Sequence, residues 1–135
     1  MKYLLAFIPL LFICISAHAQ QTADVSACIK FDSDTFNFGS VKQDTIIVHE
    51  FIFMNASKYP IIISATWTTC SCDLANHPSE PIAPGKTGII KYQYMTNNQL
   101  GVHDRSITID VQSCDPNARG MSSYVLHVRG KIVAK

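Results

Sequence analysis

The chain has 135 residues, room for one domain, with eleven basic and ten acidic side chains and a formal charge of +1. No basic patch stands out, which argues against nucleic-acid binding by phosphate neutralisation and against a polybasic membrane anchor.

Residues 1–19 have the layout of a secretory signal peptide. Lys2 supplies a positive start, residues 3–15 form an apolar run, and Ala17-His18-Ala19 is a small-x-small cleavage site before Gln20. The run is short against the roughly 20 apolar residues a membrane span needs. Cys14 follows the bulky Ile13, and Cys28 is separated from the apolar run by polar residues, so neither suits lipid attachment. Cleavage after Ala19 removes Lys2 and leaves ten basic against ten acidic residues. It also leaves four cysteines, Cys28, Cys70, Cys72 and Cys114, an even count that favours disulfides in an exported chain. The expected localisation is therefore the periplasm or outside the cell.

Residues 20–27 are polar and read as a flexible N-terminal tail, followed by one β-domain over residues 28–135. Ile29 and Phe31 alternate, and so do Phe36 and Phe38 after Asp32-Ser33-Asp34, which predicts a first strand in two pieces that ends in a turn at Gly39. Residues 45–54 form the clearest strand. His49, Phe51 and Phe53 share one face, with Ile46, Val48, Ile52 and Met54 on the other. Both faces are mostly apolar, the mark of a central strand. Asn55-Ala56-Ser57 fits a glycosylation sequon, but a tight turn into Pro60 explains it as well.

Residues 61–69 make a third β-branched run, with Trp67 expected in the core. Pro78, Pro81 and Pro84 limit the next stretch to a short edge strand at most. Strands follow at residues 87–94, 106–111 and 123–133, with Tyr92 and Tyr94 also expected in the core. No window sustains a helical period. The expected fold is an immunoglobulin-like antiparallel β-sandwich of about seven strands.

In order along the chain stand Phe38-Gly39, His49-x-Phe51-x-Phe53-x-Asn55, Pro60-Ile61-x-Ile63, Cys70-Ser71-Cys72, Pro81-Ile82-x-Pro84-Gly85-Lys86 and Val128-x-Gly130. This set resembles the bacterial family named domain of unknown function 1573, common in exported proteins of Bacteroidetes. The resemblance spans roughly residues 31–131 and implies a sandwich similar to PapD-like and ASH domains, which mostly act as binding modules. It implies no established activity. The family pattern is usually Cys-Gly-Cys-Thr, whereas this chain has Cys-Ser-Cys-Asp, so any positive φ served by the family's glycine is in question at Ser71.

Strand parity constrains the cysteines. If a short fourth strand exists, Cys28 and Cys114 lie at one end of the sandwich and Cys70 and Cys72 at the other. Disulfides need Cβ atoms about 3.5–4.5 Å apart, which leaves Cys28–Cys114 as a pair and Cys70 and Cys72 to each other. A Cys28–Cys114 bond closes a loop of roughly 85 residues, contributing on the order of 4 kcal/mol. Three readings compete for Cys70 and Cys72: a structural bond or two partly buried thiols, a redox-active disulfide, or thiolates holding a soft metal such as copper. In the metal reading, His77 and His103 at the same end complete the site.

His49 reads as a packed histidine rather than a base, and Asp73 as a turn cap. No serine–histidine–acid order, phosphate loop or carboxylate pair supports hydrolase chemistry, so the chain does not read as an enzyme. Two functions remain from sequence. One is a non-enzymatic exported module that binds an envelope component or another protein at a sheet edge or at the 70–84 end. The other is a thiol protein working through Cys70 and Cys72.

Overall fold

The computed structural model describes residues 27–112, 114–117 and 120–135. The signal-peptide reading of residues 1–19, and all but the last residue of the 20–27 tail, lie outside this range. Eight strands follow in order: β1 (Ile29–Phe31), β2 (Thr35–Lys42), β3 (Ile46–Asn55), β4 (Ile63–Thr68), β5 (Asp73–Asn76), β6 (Thr87–Met95), β7 (Gly101–Gln112) and β8 (Met121–Val133). They form two four-stranded sheets, ordered β1-β3-β6-β5 and β2-β8-β7-β4. Among the described residues, no helix is long and apolar enough to cross a membrane.

The core lies between the sheets because each strand alternates. Phe51, Phe53, Ile90, Tyr92 and Tyr94 point inward from the first sheet, and Ile107, Ile109, Leu126 and Val128 from the second, all buried. Burying one such aliphatic or Phe side chain contributes about 1.5–3 kcal/mol. Tyr92 and Tyr94 thus sit in the core as expected, and Trp67 does not: it is 61% exposed. The cause is a register shift in the β4–β7 pairing between Ile63 and Ala65. A bulge adds one residue to the count, so Trp67 turns outward where strict alternation with Ile63 points it in.

Eight strands replace the expected seven because the first strand divides between the sheets. Ser33 Oγ bonds both the carbonyl and the amide of Thr35, fixing the break. β1 then pairs antiparallel with β3, while β2 pairs parallel with β8. Gly39 does not end this strand. It sits at φ +69° within β2, where the register shifts between Asn37 and Gly39, and its amide donates to Asn37 Oδ1 at 2.9 Å. The glycine thus supplies a bulge, and the chain turns later, past Lys42.

The expected short edge strand is β5, which pairs with β6 at the sheet margin and starts directly after Cys72. Across the sandwich, Thr66 Oγ1 donates to the Ala75 carbonyl at 2.7 Å, tying β4 to β5.

At one end of the sandwich Asn55 acts as a knot. It is fully buried; its amide nitrogen donates to the carbonyls of Tyr59 and Ile82, both at 2.8 Å, and its Oδ1 accepts from Ser57. A side chain so enclosed serves the turn and leaves no room for a sugar. The Ile61–Ile82 bridge and the Gly85 amide, which donates to the Asn55 carbonyl, close the same end.

Candidate functional site

Cys70, Ser71 and Cys72 carry the chain from β4 in one sheet to β5 in the other. The crossing is a tight turn: the Asp73 amide donates to the Cys70 carbonyl at 3.1 Å, and Thr68 Oγ1 donates to the same carbonyl at 3.1 Å. Ser71 is not among the residues at positive φ, which outside glycine are Asp44 and Asn98 among the described residues. This turn therefore needs no glycine, and serine fits where the family pattern has one. Cys70 and Cys72 form a disulfide with Cα atoms 5.2 Å apart, and the Cys72 amide donates to Cys70 Sγ at 3.2 Å.

Asp73, next in the chain, points inward and is only 4% exposed. Its Oδ1 accepts from the Tyr92 hydroxyl at 3.1 Å and lies 3.9 Å from Cys72 Sγ. Its Oδ2 is buried without a hydrogen-bond partner, and so is Nε of Arg105. Burial pushes the Asp73 carboxyl above its ordinary pKa, against the opposing effects of the Tyr92 hydroxyl, Arg105 and His103. Arg105 lies over the Tyr94 ring, 5.1 Å from its centroid, with Nη2 3.4 Å from the Tyr94 hydroxyl. His103 Nδ1 meets that hydroxyl at 3.3 Å. A polar cluster of Asp73, Tyr92, Tyr94, His103 and Arg105 thus lies under the disulfide.

His103 is brought to this end and His77 is not. Because β5 begins at Asp73, His77 lies past the strand's far end, in a groove of about 390 Å³ lined also by Pro78, Thr87, Gly88 and Ile89. Among the described residues, no group of three or more His, Cys, Asp or Glu side chains is placed to hold a metal ion. The four-ligand arrangement expected from sequence is therefore not assembled.

Cys28 and Cys114 meet at the opposite end, with Cα atoms 5.9 Å apart and a separation of 86 positions in sequence. Cys28 is buried. His49 is a packed histidine: its ring stacks on Phe36 at 3.7 Å and meets Phe51 edge-on at 4.6 Å. Burial holds it below the ordinary histidine pKa, with Glu50 opposing.

Two members of the cluster were missed from sequence. In the sequence Asp73 reads as a turn cap, whereas in the fold it opens β5 and points inward. Arg105 shares the inward phase of Ile107, Ile109 and Val111, which is a readable signal for an inward-facing, half-buried cation.

The family described as "Protein of unknown function (DUF1573)" matches residues 29–130. The chain belongs to this family. Comparison with curated proteins finds no match. Among solved structures, the ASH/PapD-like domain 7 of human CEP192 is similar over 100% of this chain and 98% of its own, with TM-score 0.62 and 8% identity. A protein of unknown function from Porphyromonas gingivalis W83 is similar over 81% of this chain and 50% of its own, with TM-score 0.62 and 14% identity. The E. coli chaperone DraB is similar over 77% of this chain and 55% of its own, with TM-score 0.57 and 7% identity. At these identities the likeness shows the fold: this DUF1573 chain is a PapD-like, immunoglobulin-like sandwich.

Proposed function

We propose that this DUF1573 chain is an exported binding module that holds another protein of the cell envelope on the outer face of the β1-β3-β6-β5 sheet. One observation carries the reading. The inner face of that sheet is core, yet its outer face is also apolar. Ile46 pairs across strands with Met95, and Ile52 with Ile89, while Val48 and Leu74 flank Gln93; these six apolar side chains are 36–63% exposed. A polar outer face is the rule for a sheet with one solvated side. A contiguous apolar surface on a folded domain marks an interaction site.

The Glu50–Lys91 ion pair, 3.8 Å apart, is a polar interruption in the middle of this face. Exposed pairs of this kind contribute little to stability and more to orienting a partner. Export is supported by the leader-like start of the sequence and by the cysteines at bonding distance. One fold neighbour is described as a chaperone, which accords with a protein-binding role.

The test is chemical crosslinking in cells, followed by purification of the tagged chain. The wild type is expected to carry a discrete partner band, and a Val48→Lys/Ile52→Lys variant with unchanged melting is expected to lose it. An identical band from the variant overturns the reading.

A further inference from the structure

The Cys70–Cys72 bond is hard to explain by stability. A crosslink between residues two apart removes little freedom from the unfolded chain, in contrast to the 86-residue loop closed by Cys28 and Cys114. The turn is also held without it, by the Asp73 amide and the Thr68 hydroxyl on the Cys70 carbonyl. Beside it lies a carboxyl that the fold leaves half used. Asp73 Oδ1 is shared between the Tyr92 hydroxyl and the approach of Cys72 Sγ, and Oδ2 is buried with no partner. A buried carboxyl oxygen without a partner is costly and calls for an explanation.

The two sulfurs are not equivalent. Cys70 Sγ receives the Cys72 amide at 3.2 Å, a contact that strengthens when the sulfur carries negative charge. Cys72 Sγ has the Asp73 carboxyl at 3.9 Å, a group able to exchange a proton with it. Both cysteines are partly exposed, so an incoming thiol reaches the bond.

We propose that Cys70–Cys72 is a thiol–disulfide exchange site, in which Cys70 is the sulfur attacked and Asp73 is the proton partner of Cys72. An incoming thiolate attacks Cys70 Sγ and forms a mixed disulfide. The electron pair of the broken bond goes to Cys72 Sγ, which takes the proton of the Asp73 carboxyl. A second thiolate then attacks the mixed disulfide at the incoming sulfur, releasing the substrate disulfide and leaving Cys70 as a thiolate on the Cys72 amide. In sum, two substrate thiols are oxidised to a disulfide, Cys70 and Cys72 are reduced, and Asp73 recovers its proton from solvent. In the reverse direction Cys70 attacks a substrate disulfide and Asp73 accepts the Cys72 proton as the ring closes.

Around Asp73 stand Cys72 beside it in sequence, Tyr92 and Tyr94 from β6, and His103 and Arg105 from β7; burial raises its pKa, and Tyr92, Arg105 and His103 oppose that. Burial keeps part of the carboxyl population protonated at higher pH than an exposed aspartate. It is therefore an acid where a leaving thiolate needs one.

The site can be tested on the full mature chain, with reduced glutathione and a cysteine-containing peptide as separate thiol probes, followed by alkylation and mass spectrometry. Cys70–Cys72 is expected to open with either thiol while Cys28–Cys114 stays closed. A faster reaction with the peptide assigns a polypeptide thiol as the natural source, and a faster one with glutathione assigns a small thiol. Asp73→Asn is expected to slow opening by about tenfold and to remove the fall in rate, per thiolate, that the wild type shows as pH rises through the Asp73 pKa. A purely structural aspartate does not move that pH profile. Independently of Asp73, a Cys72→Ser variant given oxidised glutathione is expected to form the mixed disulfide on Cys70 about tenfold faster than Cys70→Ser forms it on Cys72. Three results each overturn the proposal: opening no easier than that of Cys28–Cys114, an unchanged rate and pH profile in Asp73→Asn, or faster capture at Cys72.

Discussion

Asp73 shows how one residue's setting converts to a stability statement. Its folded pKa is raised above the ordinary 3.8, chiefly by burial, so the fold favours the protonated form. The stabilisation that Asp73 gives is then complete below pH 3.8 and is lost as pH rises through the folded pKa. Asparagine keeps an acceptor for the Tyr92 hydroxyl and carries no charge. Asp73→Asn is therefore expected to melt higher than the wild type at pH 7, by a margin that shrinks on acidification and vanishes below about pH 3.8. Thermal melts across that range check it, and a margin independent of pH contradicts it. None of this was visible in the sequence, where an aspartate after a cysteine pair reads as a turn cap. The groups that meet its carboxyl, Tyr92 and Arg105, are distant in the chain. Trp67 was misread for another reason: one extra residue at the Ile63–Ala65 shift reverses the parity of all that follows in β4.

At the scale of elements, the two pieces at either end of the family motif turn out to be one contact. A Cβ on Gly130 would clash with the ring of Phe38, whose neighbour Gly39 makes the β2 bulge. The parallel β2–β8 pairing thus depends on Phe38 filling the space that Gly130 leaves. Gly130→Ala is expected to destabilise the domain by about 1–3 kcal/mol, the usual cost of overpacking, and Phe38→Ala in the same chain to recover part of it. Denaturant titration of the single and double variants measures that coupling, and strictly additive losses contradict it. The strands themselves were legible because apolar side chains alternate along them. Their assignment to sheets was less so, since a period of two says which face is buried and not which neighbour a strand takes. That is why β2 was expected in line with β1, and why His77 was expected beside the cysteines when β5 carries it to the other end.

For the molecule as a whole, the two cysteine pairs separate into a long-range clasp and a short crosslink in the β4–β5 turn. Cys28–Cys114 joins the chain ahead of β1 to the loop after β7, so opening it frees a loop of 86 residues. Replacing both by serine is expected to cost about 4 kcal/mol, with a fall in melting temperature of roughly 15–25 °C. The same change at Cys70 and Cys72 is expected to cost only on the order of 1–2 kcal/mol. Calorimetry of the two double variants checks the ranking, and equal losses contradict it. Strand parity anticipated the division of the cysteines between the two ends, because an odd number of chain reversals separates the pairs and β5 supplies the reversal in doubt. The apolar outer face of the β1-β3-β6-β5 sheet is half legible: Ile46, Val48, Ile52 and Met54 read as an apolar row, but their number argues for burial. In the fold these four side chains face outward and are 39–63% exposed.

The most direct test of the binding role is a photocrosslinking amino acid placed in living cells at Val48, Ile52 or Ile89, with Trp67 and Val125 on the opposite sheet as controls. The same partner is expected from all three positions on the β3–β6 face and from neither control. Adducts from Trp67 or Val125, with none from the β3–β6 face, would contradict the account.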